Sequence, residues 1–169
     1  LTDKTSLKTD FINAVRFDDY GNLWMGTTKE GINIYKKSSF INYSHSQTLK
    51  NTISDNFVNC LSEDKNGDIW IGTNAGLNKF EPEKETFTNY SISTSRIIST
   101  LEDGNILWVG TWDMGLYAFD KTTGQAKQYV NDPNNSNSLP YDSVPFMYKD
   151  SNGNLWIATW GGLSKFNKN

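Results

Sequence analysis

Residues 21–27 read Gly21-Asn22-Leu23-Trp24-Met25-Gly26-Thr27, GNLWMGT, and the phrase returns as GDIWIGT ending at Thr73, NILWVGT ending at Thr111 and GNLWIAT ending at Thr159. A phrase that recurs at near-constant intervals marks a chain made of stacked copies of one small unit. Its tryptophans, Trp24, Trp70, Trp108 and Trp156, stand 46, 38 and 48 residues apart, intervals that suit one β-propeller blade each. Six or seven positions after each tryptophan comes a glycine with an aliphatic residue: Gly31-Ile32, Gly76-Leu77, Gly115-Leu116 and Gly162-Leu163. An aromatic residue lies four positions beyond each of these glycines, at Tyr35, Phe80, Phe119 and Phe166.

Working outward, a short apolar run precedes the phrase, as in FINAVRF ending at Phe17 and FVNCL ending at Leu61, and a Phe-x-x-Tyr segment follows it, Phe40 to Tyr43 and Phe87 to Tyr90. Each unit therefore predicts four short strands. The expected fold is all-β: a partial β-propeller of four tandem four-stranded blades, at about 10–44, 55–91, 95–130 and 142–169, forming one segment of a larger propeller. The last blade is expected to lack its outer strand, because the fourth repeat ends just after its third. Residues 1–9 resemble a linker between blades, since TSLKTDFINAV parallels NTISDNFVNCL.

Each position in the phrase has a physical use. Asp19-Tyr20-Gly21-Asn22, Asn66-Gly67-Asp68 and Asn152-Gly153-Asn154 supply residues that tolerate positive φ for the turn between the first two strands, and repeat three shortens this to Asp103-Gly104-Asn105. The two-residue period of a strand puts Trp24 and Gly26 on one face and Leu23, Met25 and Thr27 on the other. A blade packed between two neighbours needs such double-sided burial. A framework of Trp24, Trp70, Trp108, Trp156, Gly26, Gly72 and Gly110 follows, in which each glycine leaves room for an approaching indole. At roughly 150–250 Å² per ring and about 25 cal/mol per Å², burying one tryptophan is worth on the order of 4–6 kcal/mol as an upper bound.

Composition narrows the function. The chain has 36% hydrophobic and 21% charged residues, ordinary for a globular protein, and a formal net charge of −3. That charge offers no basic stripe for phosphates, so nucleic acid is not an expected partner of this segment. No run approaches the ~18 apolar residues of a membrane span, so no direct membrane insertion is expected. The single cysteine, Cys60, cannot pair internally and reads as a small buried strand residue.

The phrase D-x-x-G-N-L-W-I-G-T followed by G-L-x-x-[YF] resembles the two-component regulator propeller repeat, over about Thr9 to Phe166. Departures are Ala158 in place of the phrase glycine and Ala126 in place of the outer-strand Phe. The resemblance implies the sensor region of a bacterial hybrid two-component system. Such a region is a periplasmic propeller ahead of a transmembrane helix, histidine kinase, receiver and DNA-binding domain, and many respond to oligosaccharides. It therefore implies a periplasmic location within an inner-membrane protein, a role in signal transduction and transcription regulation, and no catalysis by the segment itself.

Candidate ligand-binding residues lie where the turn between strands two and three meets the linkers, opposite the tight turns. Repeat three carries Trp112, Asp113 and Met114 there and repeat four Trp160, against Lys29 and Glu30 in repeat one and Asn74 in repeat two. Trp112 and Trp160 lie outside the repeat framework. Sugar recognition combines an aromatic platform with Asp, Asn or Arg partners, so Trp112, Asp113 and Trp160 lead. Packing of both rings against neighbouring loops is the competing reading.

Other motifs read as structure. Asp64-Lys65-Asn66-Gly67-Asp68 starts like a calcium loop but lacks the closing Glu, and turn chemistry explains it better, so no metal or cofactor is expected. His45 lies in a polar linker, and Glu63-Asp64 and Glu102-Asp103 recur where a turn needs caps. Lys36, Lys37, Lys79 and Lys165 read as solvated edge charges. Expected partners are a small molecule or oligosaccharide, further blades of the parent chain, and a second copy as a homodimer. The alternative function is a protein-interaction or dimerisation scaffold without a small-molecule ligand; a propeller enzyme fits least, for want of a recurrent acid/base pair.

Overall fold

The computed structural model describes residues 6–37 and 39–167; residues 1–5 of the linker-like stretch lie outside them. Among the described residues the secondary structure is fifteen strands, and no helix is long and apolar enough to cross a membrane. The first blade holds β1 (Ile12–Phe17), β2 (Leu23–Thr27), β3 (Ile32–Lys36) and β4 (Ser39–Tyr43). The second holds β5 (Val58–Glu63), β6 (Ile69–Thr73), β7 (Gly76–Glu81) and β8 (Thr86–Tyr90). The third holds β9 (Ile97–Asp103), β10 (Ile106–Thr111), β11 (Leu116–Asp120) and β12 (Ala126–Tyr129). The fourth holds β13 (Phe146–Lys149), β14 (Leu155–Thr159) and β15 (Gly162–Phe166). Each blade is an antiparallel meander in chain order, and the last has three strands, as expected from where its repeat stops.

The blades stack through their first strands: β1 packs on β5, β5 on β9, and β9 on β13. Each seam buries the same set of rings. Trp24 meets Phe80 edge-on at 5.5 Å, Trp70 meets Phe119 at 5.7 Å and Trp108 meets Phe166 at 4.9 Å. A tyrosine at the end of the outer strand closes on the same phenylalanine, Tyr43 on Phe80, Tyr90 on Phe119 and Tyr129 on Phe166. Such edge-to-face pairs place the positive ring rim against the negative ring face. Trp24, Trp70 and Trp108 are buried, while Trp156 is only half-buried, with no further blade against it among the described residues.

The glycine gaps serve a different visitor from the one expected. A Cβ on Gly26 would lie 2.4 Å from Val58 Cγ1, one on Gly72 2.7 Å from Ile97 Cγ2, and one on Gly110 3.0 Å from Val144 Cβ. The gap thus admits a β-branched residue from the next blade, not an indole; the indole instead receives the next blade's phenylalanine. Opposite each gap the first strand carries a small residue: Ala14 pairs with Gly26, Cys60 with Gly72 and Ser99 with Gly110. Cys60 is half-buried in this position, and burial pushes its thiol up to about 11 against a hydrogen bond from Thr100 Oγ1 that pulls the other way.

The tight turns are held by carboxylates. Asp18 Oδ1 accepts the backbone N–H groups of Tyr20 and Asn22, and its Oδ2 accepts the Trp24 indole N–H at 2.9 Å. Asp64 does the same for Asn66, Asp68 and Trp70, and also takes Lys121 Nζ at 3.4 Å. The calcium-like loop is thereby a capped turn whose oxygens are committed. Lys121 reaches Glu102 as well, at 3.1 Å, so the recurring acids serve the turns and seams. One expectation fails here. Lys79 lies within β7, not beyond it, and is largely buried between Asp68 at 2.6 Å and Glu81 at 3.0 Å, so it is an internal bridge and not a solvated edge charge.

Candidate ligand-binding site

The turns between second and third strands and the linkers share one end of the molecule, tied by backbone hydrogen bonds. Gly31 N–H donates to Asn56 O, and Gly115 N–H to Asp142 O, each joining one blade's turn to the linker entering the next. At Gly115 a positive φ of 76° and a backbone oxygen, Tyr129 O, 2.1 Å from where a Cβ would stand admit no other residue. That glycine fixes the turn that carries Trp112, Asp113 and Met114.

Three aromatic side chains from two blades and a linker gather here. Trp112 meets Trp160 nearly perpendicularly, ring centroids 4.8 Å apart, and Tyr141 stacks on Trp160 at 6.1 Å. The rings do pack on one another, yet they stay open to solvent: Trp112 is 42% exposed, Tyr141 48% and Trp160 59%. By contrast Trp24, Trp70 and Trp108 are at most 4% exposed, so the two extra tryptophans belong to the surface and not to the seams. Three contiguous exposed aromatics form the kind of patch that marks a binding surface.

Beside the rings lies a recess of about 520 Å³ lined by Thr94, Ser95, Arg96, Trp112, Asp113 and Met114. Arg96 holds its guanidinium over Trp112, 5.9 Å from the ring centroid, and its carbonyl accepts the Trp112 N–H at 3.1 Å. The buried Ser95 hydroxyl donates to Asp113 Oδ1. Met114 is held from three sides: Thr94 Oγ1 donates to its sulfur at 3.3 Å, its N–H donates to Thr111 Oγ1, and its carbonyl accepts from Gln128 Nε2. The recess thus offers a cation, a carboxylate and indole surface on ordered backbone.

The structure sets Trp112 against Trp160 and places Asp113 beside Trp112 in the recess, which Asn74, Lys29 and Glu30 do not line. Asn74, Lys29 and Glu30 occupy the matching turns of blades two and one. Asn74 Oδ1 accepts from Asn59 Nδ2 at 3.1 Å, and the same amide donates to Ile97 O of the third blade at 3.0 Å. Glu30 donates its N–H to Thr27 Oγ1, and its carbonyl accepts from Asn42 Nδ2. Arg96 and Tyr141 were not singled out from sequence. Arg96 directly precedes the first residue of β9, and Tyr141 ends the long linker, so only the fold shows that both face the tryptophans. His45 is exposed, its Nδ1 2.8 Å from Ile53 O, and among the described residues no group of three or more His, Cys, Asp or Glu is placed to hold a metal ion.

The family described as the two component regulator propeller matches residues 6–29, 52–75 and 138–161, the first, second and fourth repeats. Three of the chain's four repeats thus match that family. The third repeat, outside the match, is the one whose turn is a residue shorter. The extracellular domain of a putative one component system from B. thetaiotaomicron is 25% identical and superposes with a TM-score of 0.84, over 98% of this chain and 22% of that one. The extracellular domain of a putative hybrid two component system from the same organism is also 25% identical, with a TM-score of 0.72 over 100% of this chain and 30% of that one. The chain therefore spans less than a third of either. A computationally designed protein, Ika4, shares the fold at 16% identity and a TM-score of 0.68, with 98% of both chains covered. No curated protein matches the chain.

Proposed function

We propose that this segment is the ligand-sensing part of an extracellular or periplasmic sensor of a hybrid two-component system. In this reading it sits in a membrane-anchored parent and binds an oligosaccharide at the Trp112–Trp160–Tyr141 surface. The likeness to extracellular domains of a putative one component system and a putative hybrid two component system supports the sensor role. The observation that carries the ligand is the exposure of two non-framework tryptophans beside a recess containing Arg96 and Asp113. A pyranose presents an apolar C–H face and a rim of hydroxyls; exposed indole covers the first, and Asp113 meets the second. Such a site selects and orients without catalysis, and occupancy is passed on through the blade seams or the parent's protomer arrangement, with the kinase and DNA-binding output supplied elsewhere in the parent.

The test is calorimetric titration of the 169-residue chain with oligosaccharide pools. Binding is expected, and Trp160→Ala should weaken it about tenfold or more, ~1.4 kcal/mol, while leaving thermal stability within about 0.5 kcal/mol of the parent. Pools that give no heat would sink the reading. A second reading, a docking scaffold, rests on the apolar outer faces of the end blades, where Val15 and Phe17 on one side and Phe146, Tyr148 and Leu163 on the other are more than half exposed. Further blades of the parent are its partners.

A further inference from the structure

We propose that Arg96 makes this site selective for an anionic saccharide, one whose ring carries a carboxylate or sulfate group next to the residue stacked on the indoles; this rests on the saccharide reading of the cluster. Arg96 is exposed and makes no ion pair among the described residues, although the other arginine, Arg16, approaches Glu63 at 3.9 Å. Its position is nevertheless fixed. Trp112 bonds its carbonyl, the Trp112 ring lies under its guanidinium, and the next residue, Ile97, is fully buried as the plug of the Gly72 gap. A stacked guanidinium keeps its N–H edge free, and that planar fork suits two oxygens of one anionic group far better than a single hydroxyl.

The surroundings sharpen the choice. The chain is net negative, so an anion is drawn here only by a local cation. Asp113, the acid in the same recess, is engaged through Oδ1 by Ser95, and its Oδ2 accepts nothing among the described residues. That oxygen is placed to take a sugar hydroxyl. A neutral sugar would use Asp113 and the indoles and leave the guanidinium in water; an anionic one uses all three. Trp112 carries Arg96, and the more exposed Trp160 is left for the pyranose face.

The experiment titrates the 169-residue chain with a galacturonate trimer, its neutral methyl ester and a sulfated neutral trisaccharide, following tryptophan fluorescence at low and high salt. At least one anionic probe is expected to bind about fivefold to tenfold more tightly than the ester, an advantage that ~0.5 M salt shrinks. Arg96→Gln should erase that advantage while leaving the ester's weaker affinity in place, and Trp160→Ala should weaken all probes that bind. Equal affinity for charged and neutral probes, or an advantage that survives Arg96→Gln, overturns the role of Arg96 and leaves the platform standing. Failure of all three probes to bind overturns the platform and this inference together. Retention of which anion, uronate or sulfate, by the wild type identifies the group that Arg96 meets.

Discussion

Each indole of the framework donates to an aspartate: Trp24 to Asp18 at 2.9 Å, Trp70 to Asp64 at 3.0 Å, Trp108 to Asp103 at 3.3 Å and Trp156 to Asp150 at 2.9 Å. The longest of these bonds is in the repeat whose turn is shortened, where the aspartate stands one residue nearer its tryptophan. At Asp150 the bonds from Trp156 and Asn154 hold the carboxyl down at about 2. At Asp64 burial works to raise the pKa, and hydrogen bonds led by the Trp70 indole, with the Lys121 charge, outweigh it and leave it below the ordinary value. A carboxyl with a depressed folded-state pKa contributes stability above its unfolded pKa, near 4, and that contribution is lost as pH falls through the folded value. Asp64→Ala would strand the Trp70 indole and two turn N–H groups, so we expect a loss of about 2–3 kcal/mol in urea unfolding at pH 7. The deficit should narrow below about pH 4, where the parent loses the same interaction. A loss under ~0.5 kcal/mol would show that water satisfies the turn equally well. Sequence made the turn legible through Asp, Asn and Gly; the second duty of the aspartate was hidden, although a buried indole N–H always needs an acceptor.

A strand's alternation says which residues share a face, and the faces of Trp24 and Gly26 were legible on that ground. What crosses the gap was not, because it depends on how two sheets sit relative to each other. Stacking places Val58, Ile97 and Val144 over the three glycines and brings Phe80, Phe119 and Phe166 to the rings. The candidate site divides in the same way. Trp112 and Trp160 stood out as extra to a repeat, whereas Arg96 and Tyr141 enter from a strand start and a linker end that no repeat pattern marks. The gap itself is testable at Gly72, where a Cβ would stand 2.4 Å from Cys60 Sγ and 2.7 Å from Ile97 Cγ2. Gly72→Ala should cost about 1–3 kcal/mol, since both neighbours are held in a packed seam. Cys60→Ala in the same chain opens one side and should recover part of that loss. If Gly72→Ala unfolds at the same urea concentration as the parent, the blades are not seated on the glycines.

At the scale of the molecule, the outer face of blade four differs from the three internal faces that resemble it. There Ala158 stands at the gap and Phe146, 62% exposed, stands opposite it, in place of glycine with Ala14, Cys60 or Ser99. At the other end Ile12 occupies the plug position of blade one, where Val58, Ile97 and Val144 stand in the blades that follow. Ile12 cannot seat on blade four as those residues seat on the glycines, because a methyl group and a phenyl ring fill the recess. The repeat rule therefore argues against head-to-tail pairing of two copies through these faces, and equally against closure of four blades by the same contact. Rebuilding the recess should reverse this. In a chain carrying Phe146→Ser and Ala158→Gly, sedimentation is expected to show a self-association that Ile12→Ser abolishes, while Ile12→Ser in the parent chain should leave sedimentation unchanged. An effect of Ile12→Ser on association of the parent would mean that Phe146 swings clear and that the face is an open seam after all.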